Sequence, residues 1–175
     1  MKRPSAAALA AILIVAALPS SANAPEPTYD QTRDWVVATL TESAGYTRDA
    51  TVVTYKDVSM DACQLRFTTF TSTPTGYTDT DTFSVSLDSV KDVLWGTISG
   101  PPRGYVLFTT ATPISFNKQR VWRAFDRQPQ TTTTFTTIAA LEFGKPGADY
   151  ASMASHMKTA LLHAADLCKV QLAAK

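Results

Sequence analysis

The chain has 175 residues and two cysteines, and its 16 basic and 15 acidic side chains nearly cancel. A chain with so little net charge has no global field with which to attract nucleic acid or an anionic membrane. Its length suits one ordinary domain with a substantial hydrophobic core.

Residues 1–24 have the composition of a secretory signal peptide. Two basic residues precede an uncharged apolar run (residues 6–18), and a small-residue triplet ending at Ala24 follows it. The run is shorter than the roughly 20 residues that span a bilayer. We therefore predict cleavage after Ala24 and export to the periplasm or outside the cell. The mature chain, residues 25–175, is then predicted to be one domain with no transmembrane segment.

A first helix is predicted over residues 32–44, because apolar side chains recur there at every fourth position. Asp30 or Thr32 is the expected N-cap, and Gly45 is expected at the C′ position.

From residue 50 to residue 143 the chain is rich in Thr, Val, Tyr and Phe, with turn residues every dozen or so positions. This composition and the spacing of the turn residues predict seven strands. They cover residues 51–58, 62–71, 80–87, 93–98, 105–110, 114–117 and 131–143. In the last of them, every second residue from Phe135 to Phe143 is expected to face the core. The 26 threonines have no fixed period, which favours ordinary strand positions over a repetitive surface-binding face.

A final helix is predicted to begin near Ala148 or Asp149. Its apolar stripe ends at Cys168, and Cys63 shares strand parity with the apolar Leu65. Export to an oxidising compartment predicts a disulfide between the two cysteines, closing a loop of about 105 residues. The alternative is two separate buried thiols.

The two histidines, His156 and His163, lie seven residues apart on this final helix. A rise of about 10.5 Å separates them, which is too far for one zinc ion. They are expected to pack at the edge of the apolar stripe. No nucleophile motif or phosphate-binding glycine loop is present, so we predict no catalytic residue, no metal and no cofactor.

Two pairs of carboxylates are close enough in sequence to form a site: Asp79 with Asp81, and Asp88 with Asp92. Asp79 and Asp81 would share a strand face beside a turn and could hold Ca²⁺ weakly, although the spacing is not that of an EF-hand. Solvated turn residues are the favoured interpretation.

A basic and aromatic stretch spans residues 117–128. Its Lys118, Arg120, Trp122 and Arg123, with Arg103 from a preceding turn, are the candidate binding residues. Cations beside aromatic rings suit an anionic polymer, a lipid headgroup or an acidic carbohydrate. The alternative is that the aromatic rings pack inward and the cations form a solvated rim.

Seven strands followed by one helix is an order that resembles the pleckstrin-homology-like barrel. The ending EFGKPGADYASMASHMKTALLHAADLCK also resembles that of many bacterial secreted proteins. The resemblance implies an α+β fold, mainly antiparallel, in a barrel or sandwich with a C-terminal capping helix. The predicted N-terminal helix is an addition to the minimal barrel. It implies no catalytic residue. The basic stretch comes too late in the chain to match the family's phosphoinositide-binding loop.

The sequence thus favours an exported, non-enzymatic binding or envelope-associated module. Its partner would be an anionic envelope component or another protein. One alternative is a small hydrolase that uses Asp79, Asp81 or His163. Another is an interaction or inhibitor-type module that adds an exposed strand edge to another chain.

Overall fold

The computed structural model describes residues 26–100, 102–122 and 130–174. The predicted signal peptide lies outside these residues. The elements in chain order are α1 (Tyr29–Glu42), β1 (Gly45–Arg48), β2 (Thr51–Asp61), β3 (Gln64–Ser72), β4 (Tyr77–Ser86), a 3₁₀ turn (Leu87–Ser89), β5 (Val90–Ser99), β6 (Pro102–Trp122), β7 (Gln130–Gly144) and α2 (Tyr150–Ala173). The predicted α+β class, with seven strands and a helix at each end, is confirmed. Neither described helix is long and apolar enough to cross a membrane.

The seven strands form one sheet in the order β4-β3-β2-β1-β7-β6-β5. All neighbours are antiparallel except β1 and β7, which pair in parallel through two residues each. On the edge that faces away from β7, residues 102–110 of β6 pair with β5 and residues 115–122 pair with β4. Strand β4 therefore pairs with both β3 and β6. This extra pairing curls the sheet into an open barrel.

Two strand predictions are corrected. Residues 105–110 and 114–117 do not form separate strands but belong to the 21-residue β6, whose register with β7 shifts between Thr109 and Ile114. The bulge interrupts the alternation of the sequence without ending the strand. Strand β1, only four residues long, was not predicted.

The predicted start of α1 is also wrong. The N-cap is Thr28, whose hydroxyl accepts a hydrogen bond from the Gln31 amide while the Gln31 side chain accepts one from the Thr28 amide. This reciprocal pair satisfies two amides at the helix start. Gly45 lies one position later than expected and begins β1 with φ of +108°. A Cβ there would lie 2.3 Å from the Val53 carbonyl oxygen, so only glycine fits.

Both tight hairpins at the start of the sheet are made without glycine. Asp49 and Ala50 join β1 to β2, Ala62 and Cys63 join β2 to β3, and all four residues have positive φ. Two-residue hairpins require this conformation when they match the twist of the strands. Cys63 therefore lies in a turn and not in the predicted strand 62–71, yet its side chain is buried as expected.

Helix α2 closes one end of the barrel. Its buried face carries Ala154, Met157, Leu161, Ala164, Ala165 and Cys168. These side chains join Val106, Phe108, Leu141 and Phe143 from the inner face of β6 and β7 in one core cluster. The helix approaches so closely that a Cβ on Gly104 would lie 2.3 Å from the Tyr150 carbonyl oxygen. The closed end of the barrel is thus packed and apolar.

The predicted disulfide is present in the structure. The sulfurs of Cys63 and Cys168 lie 2.11 Å apart and link positions 105 residues apart in sequence. The Cys63 amide also donates a hydrogen bond of 3.1 Å to the Tyr29 hydroxyl on α1. The β2–β3 turn is therefore joined to both helices.

Replacing both cysteines by alanine should lower the free energy of unfolding by roughly 2–5 kcal/mol, because a long loop is no longer closed in the unfolded chain. For a domain of this size the melting temperature should fall by on the order of 10 °C. Calorimetry of the oxidised protein and of C63A/C168A measures the difference. Reductant should lower the melting temperature of the parent protein only; a parent protein indifferent to reductant would contradict the prediction.

Candidate functional site

The inner face of the barrel changes from apolar to polar along β4. Val85 and Phe83 face the core, and the next inward positions on the same strand are Asp81, Asp79 and Tyr77. The register places Asp81 opposite Lys118 and Asp79 opposite Arg120 on β6. Directly paired residues of antiparallel strands project to the same side. Two acids and two bases therefore meet at the open end of the barrel.

These side chains form the mouth cluster, defined as Tyr77, Asp79, Asp81, Lys118 and Arg120. Arg120 donates to both oxygens of Asp79, from Nε at 3.0 Å and from Nη2 at 3.3 Å. Lys118 Nζ lies 3.3 Å from Asp79 and 3.9 Å from Asp81. The Tyr77 hydroxyl donates to Asp79, and the Arg120 guanidinium lies 4.9 Å from the centre of the Tyr77 ring.

The two carboxyl groups of the mouth cluster are perturbed in opposite directions. Burial alone would raise the pKa of Asp79, but hydrogen bonds from Arg120, Tyr77 and Lys118 lower it below its usual value. Burial raises the pKa of Asp81, whose Oδ1 is buried without a hydrogen-bond partner. Burial and the bond to Asp79 raise the pKa of Tyr77 to about 12.

The interpretation of Asp79 and Asp81 as solvated turn residues is wrong. Both lie within β4, and the side chain of Asp79 is only 11% exposed. The sequence did indicate that they share a strand face. What it missed was that complementary cations stand on the neighbouring strand.

The other predicted binding residues do not join Lys118 and Arg120 in the mouth cluster. Arg103 lies at the opposite end of β6, where its Nε is 3.3 Å from Glu142 and its guanidinium lies 4.9 Å from the centre of the Tyr46 ring. Trp122 is the last residue of β6 and pairs with Tyr77 through the main chain. Arg123 lies outside the described residues. Among the described part of the predicted basic set, only Lys118 and Arg120 form one site.

A second feature is a groove of about 630 Å³ where the barrel does not close. We call it the seam groove. One wall is the inner face of β2, β3 and β4, with Tyr55, Thr69 and Phe83. The other wall is β7, which contributes consecutive residues such as Thr134, Phe135 and Thr136. Consecutive residues of a strand line a groove together only when its edge, rather than one of its faces, is open.

That open edge is long. On this side β7 pairs only through Phe143 and Gly144, both with β1. Within the described ranges, residues 130–142 have no strand neighbour there. Two amides on this edge find other partners: Glu142 N–H donates to the Tyr55 hydroxyl at 3.1 Å, and Ile138 N–H to the Thr136 hydroxyl at 3.1 Å.

The sequence of the open edge has a single charged residue, Glu142 at its end. Residues 130–141 contain no charge, no proline and no glycine, whereas exposed edges are commonly protected by such residues. The expected burial of alternate residues holds only from Ala139 onward. Phe135, predicted to face the core, is 69% exposed, and Ile138 is 48% exposed. The register shift with β6 reverses the alternation of β7 between Ile138 and Thr136, so Thr136 pairs with the buried Ile114 and Phe135 points outward.

The two histidines lie away from both the mouth cluster and the seam groove. His156 and His163 line a cavity of about 570 Å³ between α1 and α2, beside Trp35. His163 Nε2 lies 2.7 Å from the Pro27 carbonyl oxygen. In the part of the chain that the structure describes, no three His, Cys, Asp or Glu side chains are grouped so as to hold a metal ion.

Comparison of the chain with protein-family models, with curated proteins and with solved structures found no match. The resemblance to the pleckstrin-homology-like barrel therefore stays a prediction from element order.

Replacing Asp79 by asparagine should lower the melting temperature by several degrees at neutral pH, because the amide leaves Arg120 and Lys118 without their shared carboxylate. The sign of the pH dependence follows from the lowered pKa of Asp79. Its stabilisation is present above the pKa of the unfolded chain and is lost as pH falls through the lower folded value.

Thermal unfolding from pH 7 to pH 2 measures this contribution. The difference between the parent protein and D79N should shrink as the solution becomes acidic. D49N is the control, since Asp49 is an exposed turn residue. A difference between the parent and D79N that stays constant over the whole range would contradict the assignment.

Proposed function

We propose that the protein is an exported, non-enzymatic binding module that receives an extended segment of another protein as an added strand along β7. The observation that carries this proposal is the open edge of residues 130–142, which faces a groove rather than a neighbouring strand. Strand addition supplies main-chain hydrogen bonds along the edge, and pockets for alternate side chains supply selectivity.

The composition of the seam groove favours binding over catalysis. Hydroxyl and aromatic side chains dominate its walls, and its one acid, Glu142, is engaged by Arg103 at 3.3 Å. In the mouth cluster, both oxygens of Asp79 accept from Arg120, and these bonds help to lower the pKa of Asp79. A carboxylate with a lowered pKa is a weaker general base, so the hydrolase alternative has less support at Asp79.

Export is part of the proposal and rests on two features. The sequence of residues 1–24 has the order of a signal peptide. The Cys63–Cys168 disulfide suits an oxidising compartment. A barrel of the pleckstrin-homology-like kind is likewise proposed, supported by seven strands followed by a capping helix.

A displayed library of ten-residue peptides, selected against the mature oxidised protein, tests the proposal without knowledge of the natural partner. Selected peptides should perturb the amide resonances of Ala140 and Ile138 and should show cross-strand contacts with β7. If the selected peptides all contact other surfaces, such as the cavity beside Trp35, strand addition is ruled out.

The variant A140P should abolish binding of the selected peptides with little change in melting temperature. The amides of Ile138 and Glu142 point away from β6, so by alternation the Ala140 amide does too. Proline removes this donor from the open edge and leaves the ladder with β6 intact. A140V keeps the amide and serves as the matched control. Equal peptide affinity of A140P and A140V would contradict the proposal.

A further inference from the structure

A small pocket lies where the mouth cluster meets the seam groove. Lys118, Arg120, Gln130, Thr132 and Thr134 line its volume of about 190 Å³. Thr134 also lines the seam groove, so the two spaces adjoin. A strand on the open edge of β7 would therefore pass beside this pocket.

The pocket is rich in hydrogen-bond donors. Its lining residues include two cations, one amide and two hydroxyls, and none of them is acidic. Arg120 uses Nε and Nη2 for Asp79, which leaves Nη1 available, and an ammonium such as that of Lys118 has three donors. The side chains of Lys118 and Arg120 are 33% and 39% exposed, but those of Asp79 and Asp81 only 11% and 21%. A ligand thus meets the cations first.

The strand register gives the position of the ligand group. One row of inward residues runs around the barrel through Tyr55, Thr69, Asp81, Lys118 and Thr132. A residue of an added strand opposite Thr132 would extend this row by one strand beyond β7. It would lie two strand spacings, about 10 Å, from the backbone of Lys118.

We infer that the segment received by β7 carries a carboxylate side chain opposite Thr132, and that this carboxylate binds Lys118 and Arg120 in the small pocket. The inference rests on the proposed strand addition and names the chemistry of its partner. Glutamate is expected over aspartate, because its longer side chain spans more of the distance to Lys118. The acids of the mouth cluster are positioning residues that hold the two cations toward the pocket.

The test uses a selected peptide that has been shown to lie on β7, prepared with glutamate or glutamine at the residue opposite Thr132. Calorimetric titration should give about three- to tenfold tighter binding for the glutamate peptide. K118Q should reduce this preference, since only Arg120 then remains, and D81N should increase it, since Asp81 no longer repels the ligand. The four combinations of the parent protein or K118Q with either peptide form a double-mutant cycle that isolates the pair.

The failures of the two proposals are distinguishable. If peptides add to β7 but glutamate and glutamine bind equally to the parent protein, the carboxylate site is overturned and strand addition stands. If A140P binds every selected peptide like the parent protein, both proposals are overturned. Because the glutamine peptide changes only the ligand, this comparison does not depend on the folding of K118Q. D81N is the second protein variant; weaker binding of the glutamate peptide by D81N would also contradict the inference.

Discussion

A mismatch in strand length determines the shape of this molecule. Strand β1 has four residues and is the only described strand that stands between β2 and β7, while β7 has fifteen. After two pairs the backbones of β1 and β7 share no further ladder, and the barrel opens along the rest of β7. Backbone N–H and C=O groups need partners wherever water is excluded. The seam is therefore a place where the fold is incomplete and where another chain can supply what β1 does not.

The protein manages this incomplete edge with hydroxyl groups rather than charges. The Thr136 hydroxyl both accepts from Ile138 N–H and donates to Ile138 C=O. The Tyr55 hydroxyl accepts from Glu142 N–H at the closed end of the groove. Such local bonds satisfy the edge in the absence of a partner, and an arriving strand can replace them. A run of threonines thus has a physical role here beyond its β-propensity.

Part of this arrangement could be predicted from the sequence. The presence of two cysteines in a chain predicted to be exported indicated the disulfide, and the stripe on α2 indicated the burial of Cys168. Cys63 is buried as expected but from a turn, where strand parity does not apply. Strand β1 was not predicted because four residues are too few for a periodic pattern. The mouth cluster was not predicted because Asp79 and Arg120 are 41 residues apart in sequence, and contacts between such distant residues depend on the strand register. A signal was nevertheless present: Asp79-x-Asp81 and Lys118-x-Arg120 have the same two-residue spacing, as cross-strand neighbours on one face must have.

The pairing also changes what the basic stretch can recognise. Taken alone, Lys118 and Arg120 suggested attraction to an anionic polymer. In the barrel they stand opposite two carboxylates, so the mouth cluster brings no net charge if both acids are ionised, and a long polyanion would gain little from its field. The side chains of Lys118 and Arg120 are still oriented, because the buried carboxylates hold them with hydrogen-bond donors facing outward. A site of this kind selects a single carboxylate by direct hydrogen bonds, and such bonds depend on placement more than on total charge. Placement is what a strand register supplies, so in the proposed function the open edge and the mouth cluster are two parts of one recognition surface.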